Sequence, residues 1–139
     1  MLAYPYMENY QTLFGAISIS QDKKGITSLM FVKKTDSKKP LPTFDLYKKY
    51  KLNPQGTEFQ KQVWKVLLKI KKGQTKTYTE VAKMIGKPSA VRAVASAIAK
   101  NSIAVLIPCH RVVRSDGGVG GYRWGKSLKE KMLLDEKKR

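Results

Sequence analysis

Between residues 57 and 130 one four-residue signal occurs three times: Thr57-x-x-Gln60, Thr77-x-x-Glu80 and Ser127-x-x-Glu130. In such a capping box the hydroxyl accepts from the backbone N–H three residues on, and the acidic or amide side chain reaches back to the cap. The boxes fix where helices begin, and glycines fix where they stop. After the first box, Phe59, Val63, Val66, Leu67 and Ile70 follow a helical period, with Gly73 beyond. The second opens a short helix through Val81, Ala82 and Ile85, stopped by Gly86. A third helix is predicted from Pro88 or Ser89 to about Lys100, and the last box opens a terminal helix.

The first third of the chain reads differently. Residues 12–33 alternate loosely around Gln21-Asp22-Lys23-Lys24-Gly25, which predicts a β-hairpin. Residues 33–42 are expected to be loop and residues 43–52 to hold a short strand. Asn53-Pro54-Gln55-Gly56 marks a boundary. The fold class is therefore α+β: a small N-terminal β-hairpin subdomain over 1–53, too small to fold alone, and a mainly helical domain over 54–139. The aliphatic run Ile103–Ile107 predicts a buried strand or extended segment and is far too short to span a bilayer. Five glycines between Gly117 and Gly125 predict a loop with close backbone approaches. The N-terminal MLAYPYMENY has no basic n-region or unbroken apolar stretch, so no secretory signal is expected.

Into this frame falls an adjacent pair, Cys109-His110, the only cysteine and the only histidine. A thiolate is the reactive form of cysteine, and a neighbouring base or cation lowers the cost of forming it. The plain alternative is a small buried hydrophobe beside a satisfied core histidine. One cysteine excludes an internal disulfide and fits a reducing cytoplasm. One Cys and one His cannot supply the four ligands of a structural Cys/His zinc site.

Charge adds a second constraint. The chain carries 28 Lys and Arg against 10 Asp and Glu, a net +18, of which +14 lies in residues 51–139. Such a surface either solubilises the protein or meets a polyanion, and nucleic acid fits better than a membrane. The helices flanking Gly86-Lys87-Pro88-Ser89 read as a helix-turn-helix. On the second, Val91, Val94, Ala95 and Ile98 are expected to face the core. Arg92, Ser96 and Ala99 leave a face small enough for close approach to DNA. On the terminal helix Leu128, Met132 and Glu136 share a face. Glu136 is then either an inward carboxylate seeking a partner, with His110 the obvious one, or a solvated residue at a frayed end. Tyr78, Asn101 and Tyr122 are polar groups that could converge on a pocket, although Asn101 also suits a helix C-cap.

Residues 56–136, about 60% of the chain, resemble the O6-alkylguanine-DNA alkyltransferases (methylated-DNA–protein-cysteine methyltransferases). The matching segments are Gly56-Thr57-Glu58-Phe59-Gln60, Val63-Trp64, Arg92-Ala93-Val94, Asn101 and Ile107-Pro108-Cys109-His110-Arg111-Val112-Val113. Gly121-Tyr122-Arg123-Trp124-Gly125 resembles the bacterial Ada-type branch.

The resemblance implies roles. Cys109 is the alkyl acceptor, His110 its base through a bridging water, Glu136 the group that orients His110, and Asn101 a hinge bracing the helix pair. Arg92 enters the duplex and fills the space left by a rotated base, with Ala93, Ser96 and Arg111 among the DNA contacts. Tyr78 helps rotate the phosphate and hydrogen-bonds the flipped guanine. Tyr122, Arg123 and backbone near Val112 line the guanine pocket, and Arg123-Trp124 narrows it against bulky adducts.

The implied activity is single-turnover transfer of methyl or small alkyl groups from guanine O6, with O4-alkylthymine as a second substrate. The implied partner is duplex DNA bearing the lesion. No cofactor, metal or membrane is expected, and the protein is expected to be a cytoplasmic monomer. Relatives carry a longer RNase H-like N-terminal domain, which is expected here only as a shortened remnant. The family's phosphotriester-repair module and zinc site are expected to be absent. Two rival readings are a non-catalytic lesion sensor on the same fold and a thiol hydrolase. Cys109 argues against the first. The second leaves the basic helix pair unexplained.

Overall fold

A computed structural model describes residues 6–12, 14–33 and 51–138. The chain divides into two compact units, one of residues 1–55 with 102–106 and one of residues 56–101 with 107–139.

The first unit is an antiparallel meander of three strands, β1 (Tyr6–Thr12), β2 (Gly15–Asp22) and β3 (Gly25–Val32). The expected hairpin is β2–β3. Its turn is held by Asp22, whose Oδ1 accepts from the backbone of Lys24 (2.9 Å) and Gly25 (3.2 Å). Gly25 has φ +141, and a Cβ there would collide with the Lys51 carbonyl, so only glycine fits. β1 was not expected, because Glu8, Asn9 and Gln11 dilute its pattern. Ile17, Ile19, Ile26 and Leu29 supply the buried surface.

The outer edge of β3 is covered by two single bridges, Ile26 to Leu52 and Leu29 to Ile103, both parallel. Backbone hydrogen bonds of 2.7–2.8 Å join Ile26 to Lys51 and Asn53, and Leu29 to Ser102 and Ala104. This removes an edge otherwise open to pairing. Ile103 is thus the only residue of the apolar run that pairs as a strand. Leu106 N–H donates to Ala104 O at 2.7 Å across Val105, whose φ is +68. The chain turns there instead of extending, and a β-branched residue in that conformation is strained. The predicted loop and short strand over 33–52 fall, apart from Lys33, Lys51 and Leu52, outside the described residues.

The second unit holds α1 (Glu58–Leu67), β4 (Lys76–Thr77), α2 (Tyr78–Met84), α3 (Val91–Ala99), a single 3₁₀ turn (Cys109–Arg111), β5 (Val112–Val113) and α4 (Lys126–Lys137). The first two capping boxes form as written. Gln60 N–H donates to Thr57 Oγ1 (3.1 Å) and Thr57 N–H to Gln60 Oε1 (2.9 Å); Thr77 and Glu80 repeat the exchange at 3.0 Å each. The third does not form. Gly125, at φ +109, takes the N-cap, so Ser127 lies inside the first turn of α4.

α1 ends at Leu67, short of the predicted Ile70, which is still buried through a tightened last turn. α3 starts at Val91, later than predicted, and buries Val94, Ala97 and Ile98. Ala97 replaces Val91 and Ala95 at the centre of that face because its carbonyl accepts from the buried Trp64 indole at 2.8 Å, which fixes the rotation of α3 against α1. β4 and β5, neither expected, pair in parallel through Lys76–Val112 and Thr77–Val113. That pairing places the start of α2 beside the segment that follows Cys109. Among the described residues no helix is long and apolar enough to cross a membrane.

Candidate active site

Pro108 directs the chain into the 3₁₀ turn, and Cys109 is its first residue, buried at 4% exposure. The sulfur lies at a cavity of about 340 Å³ lined also by Tyr78, Ala95, Ile98, Ala99, Tyr122 and Arg123. Three sources meet there: one face of α3, the N-terminus of α2 and the glycine-rich loop. Burial pushes the thiol pKa up. A hydrogen bond from the Asn101 side chain and the positive charges of Lys129 and Arg123 act in the other direction.

Behind the sulfur, His110 is fully buried and its Nε2 stands 3.0 Å from Glu136 Oε2. Burial opposes ionisation of Glu136, but hydrogen bonds and charge from His110 and Arg111 outweigh it and hold the carboxyl down at about 2. An ionised carboxylate only accepts, so His110 Nε2 carries the proton it donates. The other ring nitrogen, Nδ1, is buried with no hydrogen-bond partner among the described residues. Of the two alternatives for Glu136, the inward carboxylate is the one realised.

Asn101 is buried at the end of α3 and joins it to the cysteine segment. Its Nδ2 donates to the Ile107 carbonyl at 3.0 Å, and its own carbonyl accepts from Arg123 at 3.3 Å. Arg92, Ala93, Ser96 and Ala99 are exposed on α3. Tyr78 and Tyr122 both line the cavity, and burial and the charge of Cys109 raise both phenol pKa values, with Arg114 partly offsetting the shift at Tyr78 and Glu136 adding to that at Tyr122. The Tyr122 hydroxyl is buried without a hydrogen-bond partner among the described residues.

Three expectations shift. Arg111 was expected at the DNA surface, but its guanidinium is turned inward. Its Nη2 and Nε donate to Glu136 at 2.7 and 3.0 Å, and Nη1 donates to the Ile70 carbonyl at 2.7 Å. Trp124 was expected to narrow the pocket. It instead packs edge-on against Tyr122 at 5.3 Å, with Arg123 over its ring, and does not line the cavity. Val112 is fully buried, and its carbonyl accepts from Lys129 Nζ at 2.6 Å.

Lys129 is the residue that sequence reasoning missed. It is fully buried although lysine ordinarily marks the solvent side of a helix. The available signal was spacing: Lys129, Met132 and Glu136 stand at i, i+3 and i+7.

The site thus combines a buried thiol at a small cavity, an imidazole–carboxylate pair behind it, and a cavity wall supplied by α3, whose exposed face carries Arg92. The family described as "6-O-methylguanine DNA methyltransferase, DNA binding domain" matches residues 58–138. The Escherichia coli bifunctional transcriptional activator/DNA repair enzyme Ada is 56% identical over 85 residues, which are 61% of this chain and 24% of that protein. The methylated-DNA–protein-cysteine methyltransferase of Methanosarcina barkeri is 54% identical over 93 residues, 67% of this chain and 56% of that one. The Mycobacterium tuberculosis OGT structure in complex with DNA superposes with a TM-score of 0.81 at 31% identity, covering 95% of this chain and 92% of that one. The chain belongs to the 6-O-methylguanine DNA methyltransferase family. Its match spans from about a quarter to a little over half the length of these two curated relatives.

Proposed function

We propose that this protein repairs DNA by transferring methyl and small alkyl groups from guanine O6 in duplex DNA to Cys109, once per molecule, with O4-alkylthymine as a secondary substrate. The observation that carries the reading is a cavity with Cys109 at its base and an ionised Glu136 fixing the His110 tautomer. Nδ1 is then the free base, and a water bridging it to the thiol takes the Cys109 proton. Such a water would also satisfy the ring nitrogen left without a partner.

The alkylated O6 lies inside the base stack, so the nucleotide must be turned out to reach the sulfur. α2 and α3 act as a helix-turn-helix, with Ala93, Ser96 and Ala99 permitting close approach and Arg92 filling the vacated space. Tyr78 and Tyr122 hold the flipped base, and Arg123 closes the cavity beside it. The Cys109 sulfur attacks the alkyl carbon, the S–C bond forms and the C–O6 bond breaks. The guanine anion that leaves takes a proton from Tyr78, which recovers one from the site. The thioether is stable to water and cellular thiols, so the sulfur is consumed. Arg111 acts from within, as a brace for Glu136.

Residues 1–53 serve as an RNase H-like subdomain and residues 54–139 as the DNA-binding and transfer domain. The protein works as a monomer in the reducing cytoplasm, where the thiol stays free, and needs no cofactor.

Intact-mass measurement after incubation with duplex containing O6-methylguanine tests the function. The protein gains roughly 14 Da, methyl replacing the thiol hydrogen, and Cys109→Ala abolishes the gain. Tight lesion binding with no mass gain would replace this reading with that of a lesion sensor.

A further inference from the structure

Lys129 has no part in the scheme above, yet it is buried at the centre of the site. A buried ammonium is costly unless its donors are matched. Here Nζ donates to the Val112 carbonyl at 2.6 Å and the Gly121 carbonyl at 3.1 Å, and stands 5.8 Å from the centre of the Tyr78 ring. Two of the contacts, Gly121 and Tyr78, line the cavity, and the third lies on the segment that follows Cys109. Val112 follows the Cys109 turn, Gly121 precedes Tyr122 in the glycine-rich loop, and Tyr78 opens α2.

None of these partners is a carboxylate. The charge that acts on Lys129 is that of Cys109, and the charge of Lys129 acts in turn on the Cys109 thiol. The other charged or titratable groups in reach of the sulfur are Arg123 on the loop, Tyr78 on α2 and Tyr122 beside Arg123. Glu136 is engaged by both His110 and Arg111.

We propose that Lys129 is a positioning residue for alkyl transfer: its ammonium fastens the loop carrying Tyr122 to the strand after the nucleophile, and is the internal counter-charge of the Cys109 thiolate. This deepens the proposed transfer function and rests on it only for the identity of the alkyl donor. The charge balance is simple. Loss of the thiol proton creates an anion beside a cation already in place. Formation of the thioether removes that anion and leaves Lys129 without its counter-charge. Burial already pushes the Lys129 ammonium down to about 8, and the thiolate acts to raise it. The charged Lys129 therefore lowers the pH at which Cys109 becomes a thiolate, and this help fades as Lys129 deprotonates above about pH 8.

The test compares the wild-type chain with Lys129→Met and Lys129→Arg. Each is checked for a cooperative melt and then assayed for carbamidomethylation of Cys109 by iodoacetamide from pH 6 to 10. That readout needs no DNA, so it stands even if methyl transfer from duplex fails. In folded Lys129→Met, carbamidomethylation at pH 7.5 should fall at least about tenfold, one unit of thiol pKa. The pH at which reactivity rises should move upward, and Lys129→Arg should recover part of the rate. A folded Lys129→Met with wild-type rate and pH profile overturns the proposal.

Should Lys129→Met not fold, the native protein decides. Its lysine side-chain ammonium signals are titrated by NMR before and after methylation of Cys109 with methyl iodide. One lysine should titrate far below the others and shift further down once the sulfur is capped. A spectrum in which every lysine titrates in the ordinary range, unchanged by methylation, overturns it.

Discussion

Glu136 Oε2 stands 3.0 Å from the Nε2 of a fully buried His110, so the carboxylate at the end of the last helix fixes which ring nitrogen of the histidine is free. Arg111 grips the same carboxylate through Nε and Nη2. Ionisation of Glu136 is therefore linked to folding. Its folded pKa lies at about 2 against an ordinary 4.5. The stabilisation is complete above about pH 4.5 and is lost as pH falls from there through about 2. Glu136→Gln should cost roughly 2 kcal/mol at pH 7, less than the full shift implies because the carboxylate keeps some solvent. The difference from wild type should shrink as pH is lowered through that window. Urea unfolding at pH 7 and pH 3 measures it, and an equal cost at both would contradict the linkage.

Asn101 makes a second prediction. Its amide donates to the Ile107 carbonyl at 3.0 Å and also hydrogen-bonds the sulfur. A hydrogen bond to the thiolate favours the charged form. Asn101→Ala removes that bond and leaves a carbonyl without its side-chain donor, at a cost of about 1–3 kcal/mol. The thiol pKa should rise, and carbamidomethylation by iodoacetamide at pH 7.5 should slow severalfold. Unchanged thiol reactivity in a folded variant would assign Asn101 to packing alone.

Much of this architecture was legible in the sequence, and the failures have identifiable physical causes. The boxes at Thr57 and Thr77 are local, since four residues supply both donors and acceptors, and they formed as read. The box at Ser127 failed because Gly125 turns the chain two residues too early for the serine to cap. Val105 defeated the reading of a strand, since a β-branched residue at φ +68 runs against its own preference and is set by its surroundings. Glu136 was legible by period. Lys129 shares its face, but lysine carries a prior of exposure that only a surrounding set of carbonyls overrides. Arg111 was misplaced for the same kind of reason: a cation in a basic chain reads as a DNA contact until a buried carboxylate is seen beside it.

Gly56 bears on stability rather than chemistry. A Cβ there would lie 2.5 Å from the Trp64 ring and 2.6 Å from Gln60 Oε1. Trp64 cannot retreat, because its indole donates to Ala97 across the core. Gly56→Ala should therefore overpack the start of α1 and strain its capping box, at a cost of about 1–3 kcal/mol. The melting temperature should fall by several degrees, with little change in thiol reactivity in the protein that remains folded. An unchanged melt would mean that the Gly56 backbone can move aside.

Arg92 separates binding to DNA from reaction at the sulfur. It is exposed on α3, on the same helix as Ala95, Ile98 and Ala99 of the cavity wall. If its guanidinium fills the space of an extruded nucleotide, its loss should penalise duplex substrates, where that space must be held open, and spare reagents that reach the sulfur unaided. Arg92→Ala should leave the melting temperature and iodoacetamide reactivity at wild-type values. Methyl transfer from duplex should slow by an order of magnitude or more, a loss of about 1.4 kcal/mol in the transition state. Methyl transfer from the free base O6-methylguanine should change much less. Were Arg92 only a phosphate contact, the loss would instead appear as weaker binding, with the slope of log K against log salt reduced by about one. Single-turnover rates at saturating protein distinguish the two, because saturation repairs a binding defect and leaves a flipping defect in place.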